Sequence, residues 1–446
     1  MLATPPHTLL DQLHGDPYVG YAYSYPHKTA YRALEPRTLG EVWEHESRSA
    51  LSLYIHIPFC EMRCGFCNLF TYSQPADDWV ANYLSALGRQ MEVVAEQIPA
   101  AQFAQLALGG GTPTFLQTAE LAQLLEQLKR VLDVPLGNLP ISVEASPATT
   151  DDEKFALLRH YGVTRLSLGI QSFDADDLGA IGRPQKHDDV TRAIERIRRA
   201  GFPILNLDLI YGGEAQTRRG WLESLRAAAQ YEPEELYLYP LYVRPLTGLG
   251  SRPAKAPSDQ RLERYREARD WLLANQYEQV SMRMFRRMGP CEQTTTRYAC
   301  QSDGMIGLGV GARSYTRQLH YASRFAVRQK SILGIIRNYI EQSPAEMGTV
   351  AHGIELHNEE QRRRYLLLSL LQVEGLDARA YQQHFASDLW NDFPQLRGLV
   401  DHHLATFEGE LLALTPAGLE LSDAIGPWLY SSEIRERMEG YAWTDA

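Results

Sequence analysis

The sequence predicts an α/β fold: a partial (β/α)6 barrel followed by a mostly helical, winged-helix-like C-terminal domain. Three observations lead there. Short apolar runs rich in strand formers alternate with amphipathic helical stretches between Leu51 and Leu241. The unusual polar residues fall at or just after the ends of those runs. From about Glu355 the pattern turns mostly helical, broken by a turn at Phe407-Glu408-Gly409 and the short run Leu411–Leu414. Strand–helix alternation implies parallel βαβ units. Six such units fit a partial barrel or an open doubly wound sheet.

Residues 1–50 are rich in aromatics and prolines, including Tyr18, Tyr21, Tyr23 and Tyr25-Pro26-His27, and read as an irregular segment wrapping a core. The core spans 51–250. Its strands are expected at Leu51–Ile57, Gln105–Leu108, Ile141–Glu144, Leu166–Ile170, Ile204–Ile210 and Leu236–Leu241, with helices over Trp79–Gln97, Leu121–Leu132 and Asp189–Ala200 between them. Residues 251–354 form an extension: a helix over Arg261–Asn275, a strand over Tyr277–Met284 and a glycine turn over Gly307–Ala312. Residues 355–446 form the accessory domain. Parallel α/β folds build their sites at the carboxyl ends of the strands. The cysteines, the glycines, Glu144, Gln171 and Asp208 are therefore expected on one face.

The 446 residues carry a net charge of −11, which argues against a nucleic-acid partner. Arg196–Arg199 and Arg362–Arg364 read as solvated helix faces. The start Met1-Leu2-Ala3-Thr4-Pro5-Pro6 lacks the pattern of a secretory signal. Apolar runs such as Tyr365–Leu371 are too short to span a bilayer. A cytoplasmic protein without a membrane partner is expected. Of five cysteines, three lie within eight positions, which favours a metal or redox site over a disulfide framework.

That site is Tyr54-Ile55-His56-Ile57-Pro58-Phe59-Cys60-Glu61-Met62-Arg63-Cys64-Gly65-Phe66-Cys67. A four-iron cubane normally takes four ligands, so three cysteines leave one iron open. S-adenosylmethionine (SAM) can chelate that iron through its amino and carboxylate groups, and the reduced cluster can cleave it to a 5′-deoxyadenosyl radical. Structural zinc would need a fourth ligand, and no second short-spaced pair occurs. A Cys64–Cys67 redox dithiol would leave Cys60 unexplained. Cys60, Cys64 and Cys67 are thus the candidate ligands of a 4Fe-4S cluster.

From about Leu51 to Ser314 the chain resembles the oxygen-independent coproporphyrinogen III oxidase-like branch of the radical SAM superfamily. A fainter likeness extends into the C-terminal domain at Leu414–Asp423. The motifs that carry it are the cysteine segment, Gly109-Gly110-Gly111-Thr112-Pro113-Thr114, Val143-Glu144-Ala145-Ser146-Pro147, Gly169-Ile170-Gln171-Ser172-Phe173 and Asp208-Leu209-Ile210-Tyr211-Gly212. The branch contains a decarboxylating oxidase, a haem chaperone, and radical methyltransferases and cyclopropanases.

The resemblance implies that Gly110, Gly111 and Thr112 approach the SAM methionine group and that Glu144 hydrogen-bonds SAM. Gln171 and Asp208 would meet the ribose hydroxyls, and Arg183 the SAM carboxylate. Tyr54, Phe66 and Pro240 would pack around the adenine or methionine portion. One SAM is implied, or two if the chemistry is methyl transfer. A low-potential electron donor such as flavodoxin or ferredoxin and a small-molecule substrate are the implied partners. The C-terminal domain and the aromatic N-terminal segment would cover the barrel mouth.

This sequence also departs from the branch. Leu69 stands at the oxidase's fourth cysteine, and Arg313 where the oxidase has isoleucine. Thr294–Cys300 lacks the chaperone's His-Asn and Tyr-Trp pairs. The expected function is radical SAM chemistry on a small, conjugated or carboxylate-bearing molecule, by methyl transfer or oxidative decarboxylation. A haem-binding chaperone and a modifier of a carrier protein or peptide are the alternatives. Cys291 and Cys300 are expected to be ordinary thiols.

Overall fold

A computed structural model describes residues 9, 13, 15–250, 259–289 and 304–442. Cys291, Cys300 and the Thr294–Cys300 segment lie outside the described residues. The chain divides into two units. The larger covers 31–250 and 304–355; the smaller covers the described residues up to 30, 259–289 and 356–441.

Six parallel strands form the centre of the larger unit: β1 (Leu51–Ile57), β2 (Phe103–Gly110), β3 (Ile141–Ala145), β4 (Arg165–Gln171), β5 (Ile204–Tyr211) and β6 (Glu235–Pro240). They lie side by side in chain order. A doubly wound sheet reverses its strand order at a switch point, so the unbroken order selects the partial barrel. Intervening helices close each unit. The helix Thr118–Leu132 buries Leu121, Leu124, Leu125, Leu128 and Leu132, one stripe at helical spacing. The helix His187–Ala200 stops at Gly201, whose φ of 71° suits a residue without a Cβ.

Residue parity along the strands separates core from site. Leu53, Ile55, Leu106, Leu108, Val143, Leu166, Leu168, Leu205, Leu207, Leu236 and Leu238 are all buried. The alternate positions carry Tyr54, Glu144, Ser167, Asp208, Tyr237 and Tyr239, and all but Ser167 keep accessible surface. Side chains alternate across a strand, so the apolar set packs under the helices and the polar set lines the barrel interior.

The sheet continues past β1. Met305–Leu308 runs parallel to it, followed outward by antiparallel Arg313–Tyr315, Leu319–Ala322, Thr349–Glu355 and Arg32–Thr38. The end of the 1–50 segment is therefore not irregular: Arg32–Thr38 is an edge strand. Thr38 then caps the helix Leu39–Trp43, with Glu41 completing the capping box.

In the smaller unit the expected strand over Tyr277–Met284 is instead a hairpin of Tyr277–Gln279 and Met284–Arg287. The Val280 and Ser281 N–H groups both donate to the Met284 carbonyl and reverse the chain. Its hydrophobic residues alternate straight through the reversal, so periodicity alone read one strand. Downstream, helices surround an antiparallel sheet of Leu376–Asp377, Leu411–Leu414 and Ala405–Glu408. The Arg283 Nη2 bonds Asp423 Oδ1 at 2.6 Å, and the Tyr21 and Tyr23 rings lie against the guanidinium. Among the described residues no helix is long and apolar enough to cross a membrane.

Candidate functional site at the carboxyl ends of the parallel strands

The chain leaves β1 through Pro58 into Phe59–Cys60, which pairs with Tyr72–Ser73 and pins both ends of the cysteine loop. Inside the loop, the Gly65 N–H donates to the Gly182 carbonyl (3.2 Å), and the Gly65 carbonyl accepts from the Leu249 N–H (2.7 Å). A Cβ at Gly65 would sit 2.8 Å from the Ile181 carbonyl oxygen, so this approach requires glycine. The Arg63 guanidinium donates to the Val327 carbonyl. The Gln329 side chain donates to the Thr71 carbonyl at 2.9 Å. Phe66 and Tyr239 pack on Leu178, Ile181, Ile210, Leu241 and Leu249. Pro240, at the end of β6, is buried.

Each cysteine sulfur has its own polar neighbour, a donor at Cys60 and Cys64 and a hydroxyl at Cys67. Thr112 Oγ1 lies 3.5 Å from Cys60 Sγ, Arg183 Nη1 lies 3.0 Å from Cys64 Sγ, and Thr71 Oγ1 lies 3.7 Å from Cys67 Sγ. Burial pushes the Cys60 thiol up to about 12, with Thr112 opposing and the other two thiols adding. Burial also raises Cys64, against the nearby Arg183 charge. A bound metal ion reverses this and strips the proton from a coordinating thiol.

Across the interior, the Gly110 N–H donates to Glu144 Oε2 at 3.1 Å. Gly110 has a φ of 105°, and a Cβ there would fall 2.4 Å from the His56 ring. A Cβ at Gly111 would fall 2.5 Å from the Phe59 carbonyl oxygen. These glycines let the backbone pass close beneath the cysteine loop. His56 is fixed by the Phe70 carbonyl at 2.9 Å and the Tyr54 hydroxyl at 3.2 Å. Tyr54 packs on Met305 and Tyr315. Glu144 keeps accessible surface yet is enclosed by protein, as expected of a carboxylate lining an interior. Burial, then the Asp208 charge, raises it to about 7, while the Gly110 N–H and Arg165 pull it down.

Asp208 accepts from Asn206 Nδ2 at 2.8 Å and Ser167 Oγ at 3.2 Å. Burial raises its pKa, and Asn206, Arg165 and Ser167 oppose that. These groups supply the partners that a carboxylate in an apolar run requires. Deeper in, Arg165 bonds Glu235 at 2.7 Å. Gln171 adopts a φ of 64° just past the β4–β5 register shift, where the ladder skips Ile170 and resumes with Gln171 opposite Leu209. Arg183 spreads over three acceptors: Cys64 Sγ, the Gly169 carbonyl at 2.6 Å and Gln185 Oε1 at 3.2 Å.

Thr71, Ser167, Gln185 and Asn206 were not singled out from sequence. The signal for Ser167 and Asn206 was their interior parity on β4 and β5; Thr71 and Gln185 sit in loops and carried none. A cleft of about 490 Å3 opens beside the loop, lined by Glu61, Met62, Ser146, Arg183, Gln185 and Lys186 among others. The Ser146 hydroxyl donates to Glu61 Oε1, while Glu61 Oε2 is buried without a hydrogen-bond partner. Leu69 is 49% exposed.

Among the described residues no three His, Cys, Asp or Glu side chains close around a single ion. A cubane does not need that, because each thiolate binds a different iron. The three thiols are electrostatic neighbours on one pinned loop, and the glycine cradle would be filled by any Cβ. The donor set fits a 4Fe-4S cluster with an open iron, and the interior beside it offers carboxylates and hydroxyls for SAM.

Residues 54–228 match the Radical SAM superfamily model, and residues 356–421 match the HemN C-terminal domain. The chain is 29% identical over 386 residues to heme chaperone HemW of Bacillus subtilis, covering 84% of this chain and 97% of that protein. It is 28% identical over 428 residues to oxygen-independent coproporphyrinogen III oxidase of Escherichia coli, covering 89% and 91%. The solved structure of the Escherichia coli coproporphyrinogen III oxidase (HemN) superposes with a TM-score of 0.80 at 24% identity, over 92% of this chain and 96% of that one. The family implies a 4Fe-4S cluster and SAM. The chain belongs to the radical SAM superfamily, within its coproporphyrinogen III oxidase-like branch.

Proposed function

We propose that this chain is an enzyme that reductively cleaves SAM to a 5′-deoxyadenosyl radical and functionalises a small, tetrapyrrole-like or carboxylate-bearing molecule. Methyl transfer and oxidative decarboxylation are the two candidate chemistries. The observation that carries the reading is the three-cysteine loop poised over an interior lined by Glu144, Asp208 and the Gly110–Thr112 backbone. The cluster, when bound, supplies the electron that breaks the sulfonium C–S bond. The protein's own groups do the rest. Glu144 attracts the cationic methionine end, Asp208 and Gln171 accept ribose hydroxyls, and the glycines let backbone amides approach. The electron comes from a low-potential donor of the flavodoxin or ferredoxin kind.

Glu144 makes binding pH-dependent. A protonated carboxyl offers no charge to the SAM cation, and Glu144 titrates near 7. SAM affinity should weaken as pH falls through about 7, by up to about tenfold per unit well below it. Glu144→Gln should bind weakly with a flat profile. Calorimetric titration of wild type and variant across that range checks both expectations.

The likeness to proteins named heme chaperone favours a second reading, a haem-binding protein with a structural cluster. Product analysis separates them. Under strong reductant the enzyme reading expects 5′-deoxyadenosine, and S-adenosylhomocysteine beside it selects methyl transfer. A shifted Soret band on haem titration, with no SAM turnover, selects the chaperone.

A further inference from the structure

The three groups set against the cysteine sulfurs come from three separate places in the larger unit, and each can only donate once its cysteine is a thiolate. Thr71 closes the cysteine loop, Thr112 follows β2, and Arg183 follows the short helix Ala175–Ala180. All three are buried, at 3%, 7% and 9% exposure, so water competes little for their hydrogen bonds. Arg183 is the strongest donor. Its Nη1 lies 3.0 Å from Cys64 Sγ while Nη2 and Nε are held by Gly169 and Gln185. Gln185 is itself tied to the Ile170 carbonyl at 2.6 Å. The resemblance gives Arg183 to the SAM carboxylate; in the structure its Nη1 also faces Cys64 Sγ.

We propose that Arg183, Thr71 and Thr112 are positioning residues that set the cluster's reduction potential by donating to its three thiolates, with Arg183 dominant. This rests on the cluster reading above. Reduction adds negative charge to the cluster and its sulfurs. Donors aimed at the sulfurs stabilise the reduced form more than the oxidised form and raise the potential. A full positive charge in a buried site acts more strongly than a neutral hydroxyl.

The test is a redox titration of the reconstituted full chain, without SAM, followed by the paramagnetic signal of the reduced four-iron cluster. Arg183→Met should titrate at a lower midpoint than wild type, and Arg183→Lys should recover part of the shift. Thr71→Val should fall by less, and Thr71→Ser should return to the wild-type value. Arg183→Met and Thr71→Val with full iron and the wild-type midpoint overturn the proposal. If Arg183→Met holds no cluster, the Thr71 pair decides: an unmoved Thr71→Val overturns it. A wild-type protein that assembles no four-iron signal overturns the cluster reading, and this proposal with it.

Discussion

Cys64→Ala is expected to assemble essentially no 4Fe-4S cluster after anaerobic reconstitution. Wild type should carry close to four irons per chain. Two effects act together. The variant leaves two thiolates for a cluster that already lacks a fourth protein ligand. It also removes the sulfur beside Arg183 Nη1, leaving the guanidinium of this buried arginine without that acceptor. An unmade buried hydrogen bond costs about 1–3 kcal/mol, more for a charged donor. The loop around it should therefore loosen where Gly65 meets Gly182 and Leu249. Iron and sulfide analysis with the visible absorption spectrum checks this. Equal iron in wild type and variant would remove Cys64 from the ligand set.

Asp423→Ala should destabilise the smaller unit by about 3–5 kcal/mol, the usual cost of breaking a buried pair from one side. Asp423 is fully buried and its Arg283 partner nearly so, at 0% and 2% of side-chain surface. The Gly20 N–H also donates to the Asp423 carbonyl at 3.2 Å, and Tyr21 and Tyr23 lie against Arg283. The pair thus ties the N-terminal aromatic segment to the C-terminal helices within one unit. The double variant Arg283→Met/Asp423→Leu leaves no stranded charge and should recover much of the loss. With two units, a single unfolding transition is not assured. Hydrogen exchange resolved to peptides over 356–441 is the suitable measurement. Unchanged protection there in Asp423→Ala would show the pair to be energetically idle.

The six parallel strands were legible because their outward faces form apolar runs of strand length, separated by helices at the right intervals. Leu51–Ile57 is observed with the expected bounds. The convergence of Cys60, Gly110, Glu144 and Asp208 followed from the same logic, since parallel strands bring their carboxyl ends together. Three features were not legible. Arg32–Thr38 has an edge-strand burial pattern with no buried residue, so it left no apolar run to read. The Tyr277–Arg287 hairpin turns without glycine at its apex. The strongest contact to a cysteine is long-range: Arg183 meets Cys64 across 119 positions, a pairing set by how β4 and its following helix fold back. The sequence named Arg183 through resemblance, but only the fold shows which atom it faces.

The proposed function has this chain cleave SAM at the Cys60, Cys64 and Cys67 loop. It is tested most directly by measuring 5′-deoxyadenosine formed from SAM by reduced, reconstituted protein, in wild type and Cys60→Ala side by side. Wild type should form 5′-deoxyadenosine, and Cys60→Ala only the protein-free background. Equal yields from the two, or none from a wild-type protein carrying its full complement of iron, would contradict it.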